Sequence, residues 1–129
     1  MVLDTSALLA LLLDEPEAED FRTALELDET RMVSAATLLE TAVVIEARKG
    51  EAAGRELDRL VDKAAILVVA VNADHVEEAR RAWRRFGRGR HEAALNFGDL
   101  FSYALSRATG EPLLFKGDDF RRTDVARVI

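Results

Sequence analysis

The 129-residue sequence contains no cysteine, only two prolines and only seven glycines. Without thiols there can be no disulfide, thiolate metal ligand or cysteine nucleophile, and the composition suits a reducing compartment. Because so little proline and glycine leaves no room for a low-complexity linker, we expect one domain spanning residues 1–129. The sequence also lacks a Walker loop, a GxGxxG loop and a Ser-His-acid pattern, which argues against the chemistry those motifs support.

Long hydrophobic runs are missing as well. The apolar run from Ala7 to Leu13 is far too short to cross a bilayer. Asp4 precedes this run, no basic segment leads into it, and the sequence DEP at 14–16 closes it, so it does not have the pattern of a secretion signal. We therefore expect a cytoplasmic protein without a membrane partner.

Basic residues are outnumbered, since 18 lysines and arginines stand against 24 acids and the formal net charge is −6. An acidic total argues against a general attraction to nucleic acid. However, the segment ARRAWRRFGRGRH at 79–91 holds six arginines and no acid, and subtracting its +6 leaves −12 on the rest of the chain. Such a concentrated segment can hold a phosphate backbone locally, although a solvated helix face is the alternative interpretation.

Hydrophobic patterning predicts short strands that alternate with helices. The run at 65–71 is typical of a strand buried on both faces, and Thr5 or Ser6 is the expected cap of the first helix. Strands are predicted at 2–3, 31–33, 65–71 and 112–115, with 125–129 as a candidate edge strand, and helices at 7–13, 16–27, 35–49, 51–63, from 72 or 74 to about 87, and 97–109.

This alternation favours an α/β fold in which helices cover both faces of a short, mostly parallel sheet of about four to five strands. In such sheets, ligands bind outside the carboxyl ends of the strands, near the switch in strand order. Asp4 follows the first predicted strand directly, and Asp118 and Asp119 come just after the fourth. We therefore expect acids from distant parts of the chain to meet at one edge of the sheet.

Two further acids occupy unusual positions in predicted helices. Glu40 lies mid-helix on or beside an apolar stripe, with Ala36 and Val44 one turn away on either side. Asp99 lies in the first turn of a very apolar helix. Taken singly, Glu40 could be a boundary residue paired with an arginine, and Asp99 could be a capping acid favoured by the helix dipole.

Taken together, the acids favour a metal site. Carboxylates that converge in one cleft repel one another, and a divalent cation relieves that repulsion. Mg²⁺ and Mn²⁺ prefer oxygen ligands, whereas His75 and His91 lie too far apart in the pattern to suggest zinc. Carboxylate-held Mg²⁺ keeps several waters, one of which can be activated to attack a phosphodiester.

Four sequence motifs carry a family resemblance. They are VLDTSAL near the N-terminus, the helical LLETAVVIE, the stretch LNFGDLFSYALS, and PLLFKGDDFRRTDV towards the C-terminus. Each is weak alone, but together, in this order and spacing, they resemble the PIN-domain ribonucleases, and specifically the VapC toxins of bacterial toxin–antitoxin pairs. The resemblance covers essentially the whole chain.

The resemblance implies a PIN-like three-layer α/β/α sandwich with Mg²⁺- or Mn²⁺-dependent endoribonuclease activity on RNA such as tRNA, rRNA or mRNA. It also implies a homodimer and a cognate VapB-like antitoxin, which in such toxins lies near the N-terminal helices. The residues carried over fall into three groups. Asp4, Glu40 and Asp99 match the core acids, Asp118 or Asp119 is the fourth, and Ser6 matches a hydroxyl that orients the first aspartate. Given an RNA substrate, we expect its backbone to be guided by Arg84, Arg85, Arg88 and Arg90.

Three other classes of protein fit the sequence less well than the PIN-domain ribonucleases. A phosphoacceptor receiver domain would need paired acids after the first strand, but only Asp4 is there, and the strand at 65–71 is followed by Asn72. A phosphatase with an aspartate nucleophile would need a second acid where the sequence has DTSAL. A catalytically weak PIN-like module that binds RNA or protein has no sequence feature in its favour, because every acidic position is filled.

Overall fold

Four short parallel strands form the centre of the computed structural model, which describes all residues from Met1 to Ile129. The strands are β1 (Val2–Leu3), β2 (Met32–Ser34), β3 (Leu67–Val69) and β4 (Leu113–Leu114). Their order is β3-β2-β1-β4, with every neighbouring pair parallel. Since β1 lies between β2 and β4, its carboxyl end sits at the switch in strand order, where open α/β sheets bind ligands.

Six α-helices connect and cover the strands. They are α1 (Thr5–Leu12), α2 (Ala18–Leu27), α3 (Ala35–Lys49), α4 (Glu51–Lys63), α5 (Ala73–Phe86) and α6 (Phe97–Thr109), and a single 3₁₀ turn follows at Phe120–Arg122. The expected α/β fold with its mostly parallel sheet is therefore confirmed.

Alternating side chains divide the core into two apolar layers. Val2 and Leu113 pack with residues of α5 and α6 on one face of the sheet. Leu3 and Leu114 pack with residues of α1 and α2 on the other face. This period of two is what a strand buried on both faces requires. Helix α3 contacts both α1 and α6, so it lies beside both layers and can carry a side chain between them.

The predicted strand at 65–71 is wrong in length and in burial. Only Leu67–Val69 forms a strand, and it lies at the edge of the sheet. Leu67 and Val68 are 62% and 41% exposed. A β-branched run signals extended structure, but whether the strand is central or at an edge depends on its partners. The candidate strand at 125–129 makes one parallel bridge, between Leu113 and Arg127, and is not a strand.

The cap of the first helix also differs from the prediction. Asp4, rather than Thr5 or Ser6, caps α1, because its carboxylate accepts a hydrogen bond from the backbone N–H of Ser6. A capping residue is extended and precedes the first helical residue, and Asp4 meets both conditions. For the fifth helix, Asn72 is the cap, and its side chain accepts from His75 N.

Most apolar side chains of the two N-terminal helices belong to the core. Leu8, Leu11, Phe21 and Leu25 are buried, whereas Leu27 at the end of α2 is 81% exposed. The apolar faces of α1 and α2 are therefore largely covered by the core and leave little apolar surface exposed. None of the helices is both long and apolar enough to cross a membrane.

Leu8 and Leu27 make a matched pair for testing this division of the core. Leu8→Ala removes a side chain that is fully buried against the sheet, so it should lower the free energy of unfolding by about 3 kcal/mol. Leu27→Ala should change it by less than about 0.5 kcal/mol, since surface substitutions have small effects. Urea unfolding followed by circular dichroism measures both, and equal losses would contradict the assignment.

Candidate active site

Asp4 is the centre of the site. It directly follows β1 at the carboxyl edge of the sheet and is 4% exposed. Its Oδ2 accepts hydrogen bonds from Ser6 N (3.0 Å) and Ser6 Oγ (2.7 Å), and its Oδ1 accepts from Ser102 Oγ (2.6 Å). With both oxygens engaged by neutral donors, the orientation of the carboxylate is fixed.

Ser6 joins two parts of the site. Its hydroxyl donates to Asp4 Oδ2 and accepts a hydrogen bond of 2.9 Å from Lys116 N. Lys116 belongs to the segment that follows β4 and leads to Asp118 and Asp119. Ser6 therefore orients the first aspartate and also ties it to the segment that carries the C-terminal acids.

Glu40 lies half-buried on α3 and does not pair with an arginine. Its polar partner is the hydroxyl of Thr5, which donates to Oε1. On its other side, the carboxylate lies against the backbone of Gly98 in the first turn of α6. Because α3 contacts both α1 and α6, this acid reaches the helix that Asp4 caps and the helix that carries Asp99.

Asp99 combines the capping role and the site role that the sequence left as alternatives. Its Oδ2 accepts from Asn96 N, and Asn96 Oδ1 accepts from Asp99 N, each at 2.9 Å, which forms a reciprocal capping box for α6. The cap engages only Oδ2 of Asp99. The carboxylate is thus fixed at the start of the helix while its other oxygen remains available to the site.

The acids act on one another electrostatically. Burial raises the pKa of Asp99 from 3.8 to about 7, and the negative charges of Asp4, Asp119 and Glu40 add to the rise. The hydrogen bond from Asn96 N opposes it, since that bond favours the ionised form. Burial thus contributes most to the raised pKa of Asp99, and the neighbouring negative charges contribute the rest.

The structure separates the two neighbouring aspartates after β4. Gly117, with a φ of +98°, turns the chain into this segment. Asp118 is 79% exposed, and its Oδ1 lies 3.6 Å from Arg121 Nε. Asp119 precedes the 3₁₀ turn, and its charge is one of those that raise the pKa of Asp99. Asp119, rather than Asp118, therefore lies with the other three acids.

Sequence reasoning missed the buried hydroxyls beneath the acids. Ser102, Thr37 and Thr41 are at most 1% exposed. Ser102 Oγ lies 3.2 Å from Thr37 Oγ1, and Thr41 Oγ1 donates to Thr5 Oγ1 at 3.2 Å. The signal was spacing: Ser102 lies one turn after Asp99, and Thr37 one turn before Glu40. Hydroxyls on an apolar helix face have several common roles, so spacing alone did not single them out.

The donor set fits a hard divalent cation. Four carboxylates from separate segments lie near the carboxyl end of β1, and the charges of three of them add to the effect of burial in raising the pKa of Asp99. No three acidic or histidine side chains form a group that could hold a metal ion between them. Mg²⁺ does not need one, because it keeps several waters and takes only one or two carboxylates. His91 Nδ1 accepts a hydrogen bond of 3.0 Å from Ala93 N.

The four arginines of the basic segment have different surroundings. Arg85 Nη1 lies 3.2 Å from Asp124 Oδ2, and the Arg90 guanidinium stacks 4.0 Å above the ring of Trp83. Arg84 and Arg88 are exposed and make no ion pair. Arg88 N donates to the carbonyl of Leu95 at 3.0 Å, which places this residue beside the chain that enters α6.

The raised pKa of Asp99 predicts a pH-dependent stability of the metal-free protein. Because the folded pKa is about 7 and the ordinary value is 3.8, folding favours the protonated form. The contribution of protonated Asp99 to the stability of the folded protein is complete below pH 3.8 and is lost as the pH rises to 7. Asp99→Asn cannot titrate, so wild type should lose stability relative to this variant over that range, on the order of 1 kcal/mol after solvent screening. Urea unfolding with a chelator at pH 4.5 and 8 measures it, and parallel curves would contradict the shift.

Comparison with known proteins places the chain in a family. The sequence matches the PIN domain over residues 1–126. It is 58% identical over 128 residues to ribonuclease VapC30 of Mycobacterium tuberculosis, covering 99% of this chain and 98% of that protein. It is 57% identical over 128 residues to ribonuclease VapC of Mycolicibacterium smegmatis, covering 99% of both.

Solved structures show the same fold. The Mycobacterium tuberculosis toxin VapC20, described as cleaving the sarcin–ricin loop, superposes with a TM-score of 0.78 at 22% identity over 97% of this chain and 95% of that one. VapBC2 of Rickettsia felis, bound to a DNA fragment from its promoter, gives 0.76 at 17% identity over 98% and 94%. Sequence identity over nearly the full length, together with this fold, confirms the resemblance: the chain belongs to the PIN-domain family and, within it, to the VapC ribonucleases.

Proposed function

We propose that this protein is the toxin of a toxin–antitoxin pair and hydrolyses RNA phosphodiester bonds with a carboxylate-bound Mg²⁺ or Mn²⁺. The observation that carries the proposal is the proximity of Asp4, Glu40 and Asp119 to Asp99 at the carboxyl end of β1, where burial first and their negative charges second raise the pKa of Asp99 to about 7. The similar proteins named as VapC ribonucleases support RNA as the substrate. We propose a tRNA, an rRNA or an mRNA as that substrate.

The site residues divide the work between binding and orientation. One or two of Asp4, Glu40, Asp99 and the acid after β4 would hold the cation, and we assign that last position to Asp119 because Asp118 faces Arg121. When bound, the cation supplies a polarised water and stabilises charge on the phosphate. Ser6 and Ser102 orient Asp4, and Thr5 orients Glu40. Because its pKa is about 7, Asp99 is only partly ionised near pH 7 in the metal-free protein, so cation binding would displace the remaining proton.

We also propose a VapB-like antitoxin and a second copy of the chain as partners. Structural neighbours include toxin–antitoxin complexes from Klebsiella pneumoniae and Haemophilus influenzae, which share the fold. Exposed apolar side chains on α3, α5 and the start of α6 give this chain surface to bury in an assembly. The largest are Leu39, Val43, Val76, Trp83 and Phe97. We expect the chain to act as one domain, in the cytoplasm.

Asp118 and Asp119 provide a matched test of the metal site. Asp119→Asn should lower RNA cleavage at least about tenfold, because it removes a carboxylate that acts on Asp99. Asp118→Asn should have little effect, since that side chain is exposed and faces Arg121. Cleavage of total RNA is measured with Mg²⁺, with Mn²⁺ and with chelator, using antitoxin-free protein and Asp4→Asn as the inactive reference.

The outcomes separate the hypotheses. Wild-type protein that behaves like Asp4→Asn under every condition would favour the catalytically weak binding module instead. Cleavage that survives the chelator would contradict the metal dependence alone. If Asp118→Asn is the damaged variant, the assignment of the fourth acid is reversed while the ribonuclease proposal stands.

We further propose that the arginine segment guides the RNA backbone. Arg84 and Arg88 are free of ion pairs, so Arg84→Ser with Arg88→Ser should weaken RNA binding and make it less dependent on salt. Adding Arg85→Ser and Arg90→Ser should extend the effect. The control is Arg48→Ser with Arg55→Ser, which removes the same charge from the end of α3 and from α4. Filter binding from 50 to 300 mM salt measures it, and equal slopes for both pairs would rule out this surface.

A further inference from the structure

We infer that Gly98 is a positioning residue for Glu40, because its missing side chain leaves the space in which the Glu40 carboxylate lies. The inference rests on the proposed function only in its claim that Gly98 supports a metal site. The contact itself is a feature of the packing between α3 and α6.

The space beside Gly98 is filled by the carboxylate. A Cβ added to Gly98 would overlap Oε2 of Glu40 and would lie 2.6 Å from its Cδ and 2.8 Å from its Oε1. Real Cβ atoms essentially never approach other heavy atoms closer than 3.0 Å, so the carboxylate would have to move. All three close atoms belong to the Glu40 carboxylate. A side chain at position 98 would therefore collide with Glu40 first.

Backbone conformation does not explain a glycine at this position. The glycines with positive φ are Gly50, Gly89, Gly110 and Gly117, and Gly98 is not among them. It lies in the second position of α6, with a helical backbone that any L residue can adopt. Glycine is the poorest helix former after proline, because it loses the most backbone freedom on folding. A helical glycine without a conformational need therefore calls for a steric reason, and Glu40 supplies it.

Glu40 cannot simply rotate away from a new methyl group. Its Oε1 accepts a hydrogen bond from the hydroxyl of Thr5, which is 9% exposed and in turn accepts from Thr41. The carboxylate is thus held between a buried hydroxyl on one side and the first turn of α6 on the other. Movement of the carboxylate away from residue 98 would therefore disturb its hydrogen bond with Thr5.

The test is a double-mutant cycle of Gly98→Ala and Glu40→Ala. In the wild-type background, Gly98→Ala should weaken Mn²⁺ binding about tenfold or more, the usual loss when a supporting residue of a metal site is changed. In the Glu40→Ala background it should have no further effect, because no carboxylate remains to be displaced. Isothermal titration calorimetry with Mn²⁺ alone measures all four proteins.

Thermal unfolding of the same four proteins, without metal, tests the contact between residue 98 and Glu40 independently of metal binding. Replacing a helical glycine by alanine should raise Tm by a few degrees where there is room for the methyl group. We expect that gain in the Glu40→Ala background and not in the wild-type background. A merely structural role of Gly98 would change Tm equally in both.

Gly54 provides the matched control. It lies inside α4, and a Cβ there would lie 2.7 Å from Cδ of Glu46, again a glutamate on α3. Glu46 is exposed, so its side chain can move into solvent. Gly54→Ala should therefore raise Tm in either background and leave Mn²⁺ affinity unchanged.

Each outcome has a separate meaning. An equal gain in Tm from Gly98→Ala in both backgrounds, or equal losses of Mn²⁺ affinity, would overturn the inference. If the wild-type protein binds no Mn²⁺, the proposed metal site fails, and the thermal cycle still decides whether Gly98 makes room for Glu40. A gain in Tm confined to the Glu40→Ala background, with an effect on Mn²⁺ confined to the wild-type background, supports the full inference.

Discussion

Repulsion among carboxylates at the carboxyl end of β1 is the constraint around which the rest of the site is arranged. Asp4, Glu40, Asp99 and Asp119 come from four separate segments, and burial, together with the charges of the other three acids, raises the pKa of Asp99 to about 7. The nearby basic groups are directed elsewhere. Lys116 pairs with Glu15 and Glu17, and Arg121 faces Asp118. The negative charge of the cluster is therefore left for a cation to neutralise, at a cost in the stability of the metal-free protein.

Neutral hydroxyls hold these acids in place. Ser6 and Ser102 donate to Asp4, and Thr5 donates to Glu40. An arginine or lysine in any of these positions would orient the carboxylate as well, but it would also cancel its charge and compete with a bound cation. Hydroxyls and backbone N–H groups fix the geometry and preserve the charge. The buried threonines of α3 extend the same arrangement into the core, which ties the position of Glu40 to packing that is insensitive to salt.

The sequence predicted the features that depend on local pattern and missed those that depend on tertiary neighbours. Alternation of strands and helices located Asp4 at the sheet edge, and an acid beside an apolar stripe identified Glu40. The choice between Asp118 and Asp119 depends on the direction of the turn at Gly117, which their adjacency in sequence does not reveal. The exposure of Leu67 and Val68 depends on β3 having no further partner strand. The role of Gly98 cannot be read from the sequence, because the carboxylate that fills the space beside it belongs to Glu40 on a different helix.

The distribution of charge follows from the same constraint. A protein with a net charge of −6 would repel RNA if its acids were evenly exposed. Here the functional acids are gathered at one edge, where a divalent cation would make them receptive to a phosphate, so basic residues are needed only nearby. Arg88 lies in the segment that leads directly into α6 and its Asp99, and Arg84 lies one turn earlier, at the end of α5. On the proposed function, RNA would bind at this one edge, and the remaining acidic surface would oppose its binding elsewhere.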